Sequence, residues 1–146
     1  MRFSSTRSTT AMDLGVPLPR GWRILIVDDY KDTAEALTVL LQLSGNECFT
    51  AYSGEECLSI ARFHRPEIIL LDLNMPNMDG FETCNRVKEE SWSKHVKIIA
   101  ITGVDENMKR LHMQESGFDA YIIKPVDPEE LAILLFSLGR GRPDLH

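Results

Sequence analysis

Short apolar runs along this chain alternate with longer stretches in which apolar residues recur every three or four positions. The run Trp22 to Val27 (WRILIV), the run Ile68 to Leu71 (IILL) and the run Lys97 to Ile101 (KIIAI) are nearly unbroken. Apolar residues at successive positions, rather than at alternate ones, predict strands covered on both faces. A weaker run spans Glu47 to Tyr52, and a fifth spans Asp119 to Ile123.

The intervening stretches carry helix signals. Asp32 or Thr33 is expected to cap a helix whose inner face is Ala34, Leu37, Leu40 and Leu41, stopped near Gly45. Ser53 to Glu56 (SGEE) reads as a capping box opening a helix through Leu58 and Ala61 that closes before Pro66. Asp79, with Glu82 three residues on, caps a third helix that turns Phe81, Cys84 and Val87 inward, and its far end, Glu90 to His95, is polar. A fourth helix with Met108 and Leu111 inside runs on to Gly117. The fifth starts at Asp127-Pro128-Glu129-Glu130 and carries the core stripe Leu131, Leu134, Leu135, Leu138.

Five strands alternating with five one-sided helices define an α/β fold, a doubly wound parallel sheet covered on both faces. Right-handed crossovers leave few topologies, and the flavodoxin-like order 2-1-3-4-5 fits five repeats. At 146 residues, 43% of them hydrophobic, the chain has material for one core without staples. Residues 1–21, rich in Ser, Thr, Arg, Pro and Gly, read as a flexible tail or linker, 22–139 as the domain and 140–146 as a short C-terminal tail. Sixteen basic against 22 acidic residues give a net charge of -6, which argues against nucleic acid as a direct partner. Cys48, Cys57 and Cys84 form no CxxC pair, and the latter two fall on inward helix faces as small buried thiols. No apolar run reaches membrane-spanning length and residues 1–20 lack a signal-peptide core, so no membrane association and a cytoplasmic location are expected.

Candidate chemistry lies at the C-terminal ends of the strands, where open parallel sheets bind ligands. Asp28 and Asp29 end the first strand, Asp72 the third, Thr102-Gly103 the fourth and Lys124-Pro125 the fifth. In the order 2-1-3-4-5 the first and third strands are neighbours, so three carboxylates converge. Two such charges 4 Å apart repel by about 1 kcal/mol in water and about 4 kcal/mol at a partly shielded surface. Lys124 and a divalent cation are both candidates to neutralise them, and an all-oxygen donor set favours Mg²⁺ over zinc. A cis bond at Lys124-Pro125 would aim the ammonium inward. Taken alone, Thr102 is an ordinary strand residue and Tyr121 an ordinary strand aromatic.

The segments IVDDY, LLDLNMPNMDG, IAITG and YIIKP stand in the order and spacing of one family. From about Arg23 to Leu138 the chain resembles the receiver domain of two-component response regulators and hybrid histidine kinases. The resemblance implies that Asp72 is the phosphoacceptor and that Asp29, Asp72 and the backbone carbonyl of Asn74 ligate Mg²⁺. Asp28 would act mostly through a metal-bound water, Lys124 and Thr102 would bind the phosphoryl group, and Thr102 with Tyr121 would form a switch pair. Gly103, after the switch threonine, would leave the phosphoryl approach open, and Asn74 would affect the lifetime of the phosphate. The implied partners are a histidine kinase or histidine phosphotransfer protein upstream and a protein reading the face of the fourth helix, fifth strand and fifth helix downstream.

Other readings fit less well. A haloacid-type phosphatase needs a second Asp two residues after the first, where Asn74 stands. A nucleotide or flavin module wants a glycine-rich turn after the first strand, and DDYKDT has none. A docking-only module, or a phosphate sink within a hybrid sensor kinase pathway, stays open as an alternative. The expected protein is a signalling switch, at most catalysing its own phosphorylation and dephosphorylation. Both a stand-alone receiver and the receiver portion of a larger protein agree with the sequence.

Overall fold

The computed structural model describes residues 18–103 and 115–139. Five strands, β1 (Arg23–Val27), β2 (Glu47–Ala51), β3 (Ile68–Asp72), β4 (Lys97–Thr102) and β5 (Ala120–Ile123), form one parallel sheet in the order β2-β1-β3-β4-β5. This is the flavodoxin-like order that the hydrophobic pattern predicts. The three central strands are almost wholly buried, and β2 at the edge is only partly so, which is why its pattern is the weakest in the sequence.

Successive residues of a strand face opposite sides of the sheet, so each central strand feeds two cores. Ile24 and Ile26 of β1 pack with α1 (Lys31–Leu43) and the C-terminal helix (Pro128–Leu138), through Leu37, Leu41, Leu131 and Leu135. Leu25 and Val27 pack on the other side with α2 (Gly54–His64) and α3 (Gly80–Lys88), through Cys57, Ala61, Cys84 and Val87. The helix expected around Met108 and Leu111 lies outside the described residues.

Helix starts follow the capping logic with one correction. Neither Asp32 nor Thr33 caps α1; the cap position is Tyr30, which supplies no side-chain bond. Asp28 Oδ1 instead accepts the Tyr30 N–H at 2.9 Å, a turn that starts the helix two residues early and leaves Asp32 in its first turn. At α2, Ser53 Oγ accepts the Glu56 N–H at 3.1 Å, while Glu56 reaches back one residue beyond the usual box, to the Tyr52 N–H at 2.8 Å. Asp79 accepts the Glu82 N–H at 2.9 Å and opens α3. The stretch read only as polar forms a 3₁₀ helix, Ser91–His95, in which Ser93 Oγ donates to the Glu90 carbonyl at 2.8 Å.

Leu18 and Trp22 are buried in the core shared with α1 and the C-terminal helix, so the expected tail joins the packed fold before its last residue. The buried Asn46 side chain fastens it there. Its Oδ1 accepts the Trp22 N–H at 3.0 Å, and its Nδ2 donates to the carbonyls of Pro19 at 2.8 Å and Leu41 at 3.0 Å. Asn46→Ala would remove all three side-chain bonds in a dry setting, although the Leu41 carbonyl keeps the Ser44 and Asn46 N–H groups. It should lower stability by about 2 to 4 kcal/mol, read as a fall in urea midpoint with an unchanged slope.

Candidate functional site

The register of the sheet builds the site. Val27 pairs with Leu71, so the residues that follow, Asp28 and Asp72, emerge side by side from β1 and β3. Asp28 and Asp72 are buried and Asp29 is exposed; one carboxylate oxygen from each lies within 4.8 Å of the other two. Lys124 comes over from the end of β5, its Nζ 3.4 Å from Asp72 Oδ1 and 3.7 Å from Asp28 Oδ2. The Lys124 N–H donates to the Thr102 carbonyl at 2.7 Å, which holds the β5 end beside β4, and the Lys124-Pro125 bond is cis.

Asp72 Oδ1 also accepts the Asn74 N–H at 3.1 Å, and Oδ2 has no hydrogen-bond partner among the described residues. The loop from Leu73 to Asp79 is fastened by Met75 and Met78, both buried in the core with α2 and α3, and by Asn77 in the left-handed region at φ 64°. The start of α3 presses close: a Cβ on Gly80 would stand 2.6 Å from the Asp72 carbonyl oxygen and 2.7 Å from Leu73 Cα, so only glycine fits. The supporting roles of Met75, Met78 and Gly80 were not read from the sequence. The apolar residues inside an otherwise polar loop, NMPNMDG, were the available signal.

Thr102 is fully buried at the end of β4, and Tyr121 is half-buried on β5. Thr102 pairs with Ile123 and Ala100 with Tyr121, so Thr102 and Tyr121 lie two positions apart on the same face of the sheet. Gly103 is exposed, and a Cβ there would meet nothing within 4 Å among the described residues. The fold therefore gathers Asp28, Asp29, Asp72 and Lys124 into one cluster, with Thr102 at the neighbouring strand end and Tyr121, Asn74 and Gly103 around it.

The cluster is electrostatically unbalanced, with three carboxylates facing one ammonium. Burial pushes the Asp72 carboxyl up from 3.8 to about 6; the Asn74 N–H opposes this, Asp28 adds to it and Lys124 offsets part. A donor set of carboxylates suits a hard divalent cation such as Mg²⁺, whose charge would relieve both the burial and the repulsion.

Residues 24–135 match the family model for the response regulator receiver domain, and the chain belongs to that family. Among relatives, the response regulator PleD of Caulobacter vibrioides is 36% identical over 118 residues, 81% of this chain and 26% of that protein. The probable transcriptional regulator ycf27 of Porphyra purpurea is 37% identical over 118 residues, 81% of this chain and 47% of that protein. The chain thus spans between about a quarter and a half of the length of these relatives. The chemotaxis protein CheY4 of Vibrio cholerae superposes with a TM-score of 0.77 at 32% identity, over 80% of this chain and 98% of that one. The signal receiver domain of a signal transduction histidine kinase from Syntrophus aciditrophicus gives 0.75 at 29% identity, over 84% and 94%. Receiver domains are signalling switches that work with a histidine kinase or phosphotransfer partner, and they generally bind Mg²⁺ at an acidic pocket.

A carboxyl whose folded pKa is raised opposes folding once it is ionised, above about pH 6, and ceases to do so as pH falls through 6 toward its unfolded value. Asp72→Asn should therefore stabilise the metal-free protein at pH 7 by about 1 to 3 kcal/mol, and the gain should shrink between pH 6 and 4. Thermal unfolding of both proteins across that range checks the sign.

Proposed function

We propose that Asp72 accepts a phosphoryl group from a phosphohistidine on a kinase or phosphotransfer partner, and that the acyl phosphate switches the domain to regulate a partner. The observation that carries this reading is the Asp28, Asp29, Asp72 cluster with Lys124 Nζ 3.4 Å from Asp72. Asp29, Asp72 and the Asn74 backbone carbonyl would hold Mg²⁺, with Asp28 completing the acidic shell. The bound ion would supply neutralising charge to the carboxylates and to the oxygens of the incoming phosphoryl group.

The residues of the chain do the rest. A carboxylate oxygen of Asp72 forms the new P–O bond as the P–N bond to the histidine breaks. The bonding electrons leave on the imidazole nitrogen, which takes a proton. Lys124 then transfers its ion pair from the carboxylate to a phosphoryl oxygen, so charge is stabilised where it moves. The open approach at Gly103 admits the donor. In this role the chain is a switch, with no turnover beyond its own phosphorylation and dephosphorylation.

The switch runs through Thr102. A phosphoryl oxygen offers its hydroxyl a charge-assisted hydrogen bond worth about 1.5 to 3 kcal/mol, enough to shift a two-state equilibrium by one to two orders of magnitude. Tyr121, on the same face, would fill the space that Thr102 vacates. Beside Tyr121, a cavity of about 420 Å³ between β5 and the C-terminal helix is lined by Ile133 and Leu134, with Ile133 exposed. This supports β5 and the C-terminal helix as part of the surface that a downstream protein, or another part of a longer chain, reads. Among the described residues no helix is long and apolar enough to cross a membrane.

Acetyl phosphate with Mg²⁺ should add one base-labile phosphoryl group at Asp72, and Asp72→Asn should abolish it; phosphopeptide mapping to Ser or His would overturn the reading. Calorimetry should show Asp29→Asn weakening Mg²⁺ binding by about tenfold or more, the loss of one direct ligand. With beryllofluoride as phosphoryl mimic, amide exchange should change at β5 and the C-terminal helix in the wild type. Thr102→Ala should confine the change to the loops around Asp72.

A further inference from the structure

The sheet is open at β2. That strand ends the order, with β1 on one side and no strand among the described residues on the other. The Glu47 N–H donates to the Trp22 carbonyl at 2.8 Å, and the Ala51 carbonyl accepts the Asp28 N–H at 3.1 Å. Backbone groups turn to alternate sides residue by residue, so Glu47, Phe49 and Ala51 bond toward β1 while the N–H and C=O of Cys48 and Thr50 point outward. Cys48, Phe49 and Thr50 are each only partly buried, although α1 and α2 flank the strand.

An open edge is a template for another strand, and the usual guards are missing here. The sequence ECFTA contains neither lysine nor proline, and its pairing with β1 runs in continuous register without a bulge. Apolar side chains frame the edge on both faces instead. On the α2 face, Phe49 stacks on the His64 ring with centroids 4.0 Å apart, and Phe63, 81% exposed, meets that ring edge-to-face at 4.8 Å. On the α1 face, the Thr50 and Thr38 hydroxyls bond each other at 3.0 Å, and Val39, next to Thr38, is 50% exposed.

We propose that this edge pairs antiparallel with the β2 edge of a second copy of the chain, about a two-fold axis through Phe49. The outward groups single out that register. Cys48 lies opposite Thr50 of the second copy and Thr50 opposite its Cys48, each pair exchanging both N–H···O bonds. Phe49 faces its own counterpart in the non-hydrogen-bonded position between them, where Cα atoms approach to about 4.5 Å and aromatic pairs are favourable. A shift of one residue sets outward groups against inward ones. The next registers in phase recruit Asn46 or Tyr52, whose N–H groups already donate to the Leu41 carbonyl at 3.2 Å and to Glu56 Oε1 at 2.8 Å. Charge agrees with the same axis. Glu47, the one charged residue of β2, faces Ala51 of the second copy, and the two α2 helices run antiparallel along the seam. Each carries Glu55 and Glu56 in its first turn and Arg62 and His64 in its last, so ends of opposite sign meet. A self-complementary edge fits the surface it presents, which is why the partner is a second copy. The strands run in opposite directions across the axis, so the two Asp72 mouths face opposite ways and neither is covered.

Sedimentation equilibrium of the full chain at rising concentration should shift the mass from one copy to two. In a half-labelled sample, isotope-filtered Overhauser spectra should show a cross-peak between the Phe49 Hα of one copy and the Phe49 Hα of the other. Thr50→Pro removes an N–H that β1 does not use, and the symmetry deletes that bond twice. The variant should raise the dissociation constant about tenfold or more while the amide signals of Ile26, Leu70 and Ile99 stay in place. A mass of one copy at every concentration overturns the proposal. A dimer without the Phe49 cross-peak, or one that a folded Thr50→Pro protein forms as tightly as the wild type, overturns it equally. If Thr50→Pro does not fold, the cross-peak in the wild-type protein decides.

Discussion

Like charge held close against its own repulsion is the constraint from which the rest of this structure follows. β1 and β3 are neighbours in register, β1 is followed by Asp28 and β3 ends in Asp72, so the sheet cannot form without placing Asp28 beside Asp72. Burial then raises the Asp72 carboxyl to about 6, which marks the site as electrostatically unsatisfied by the protein alone. Apolar strand contacts must hold the carboxylates together. The unbroken burial of β3 and the interleaved cores on its two faces provide them.

The proposed ligand response rests on that arrangement. A carboxylate cluster with one nearby ammonium has little to gain from closing on itself and much to gain from a divalent cation. The backbone around it is correspondingly well fastened. Asn74 binds Asp72, Tyr30 binds Asp28, the Thr102 carbonyl holds the β5 end, and glycine at position 80 lets α3 start against the strand. The proposed switch rests on such a frame: Thr102 at the end of β4 and Tyr121 on β5 share a face of the sheet beside it.

The two sides of the sheet differ in what they leave open. The side with α2 and α3 closes over Met75 and Met78 and supports the loop after Asp72. The side with α1 and the C-terminal helix keeps apolar surface on Val39, Leu43 and Phe136, and its cavity reaches Lys124.

Much of this was legible in the sequence because it depends on local pattern. Continuous apolar runs gave the buried strands, and Ser53, Asp79 and Asp127 announced their helices through the backbone donors they cap. The residues at the strand ends, Asp28, Asp29, Asp72, Thr102 and Lys124, could be read from the points where apolar runs stop. What needed the tertiary structure was anything set by contacts distant along the chain. The start of α1 was misplaced because Asp28 captures the Tyr30 N–H, and the packing of Leu18 was missed because Asn46, far along the chain, binds Pro19. The short distances from Lys124 to Asp28 and Asp72 required β5 to fold back beside β4. The necessity of Gly80 appeared only when α3 lay against the carbonyl of Asp72. Periodicity records which face of an element is dry; only the assembled sheet decides which charges and which backbones must then share one place.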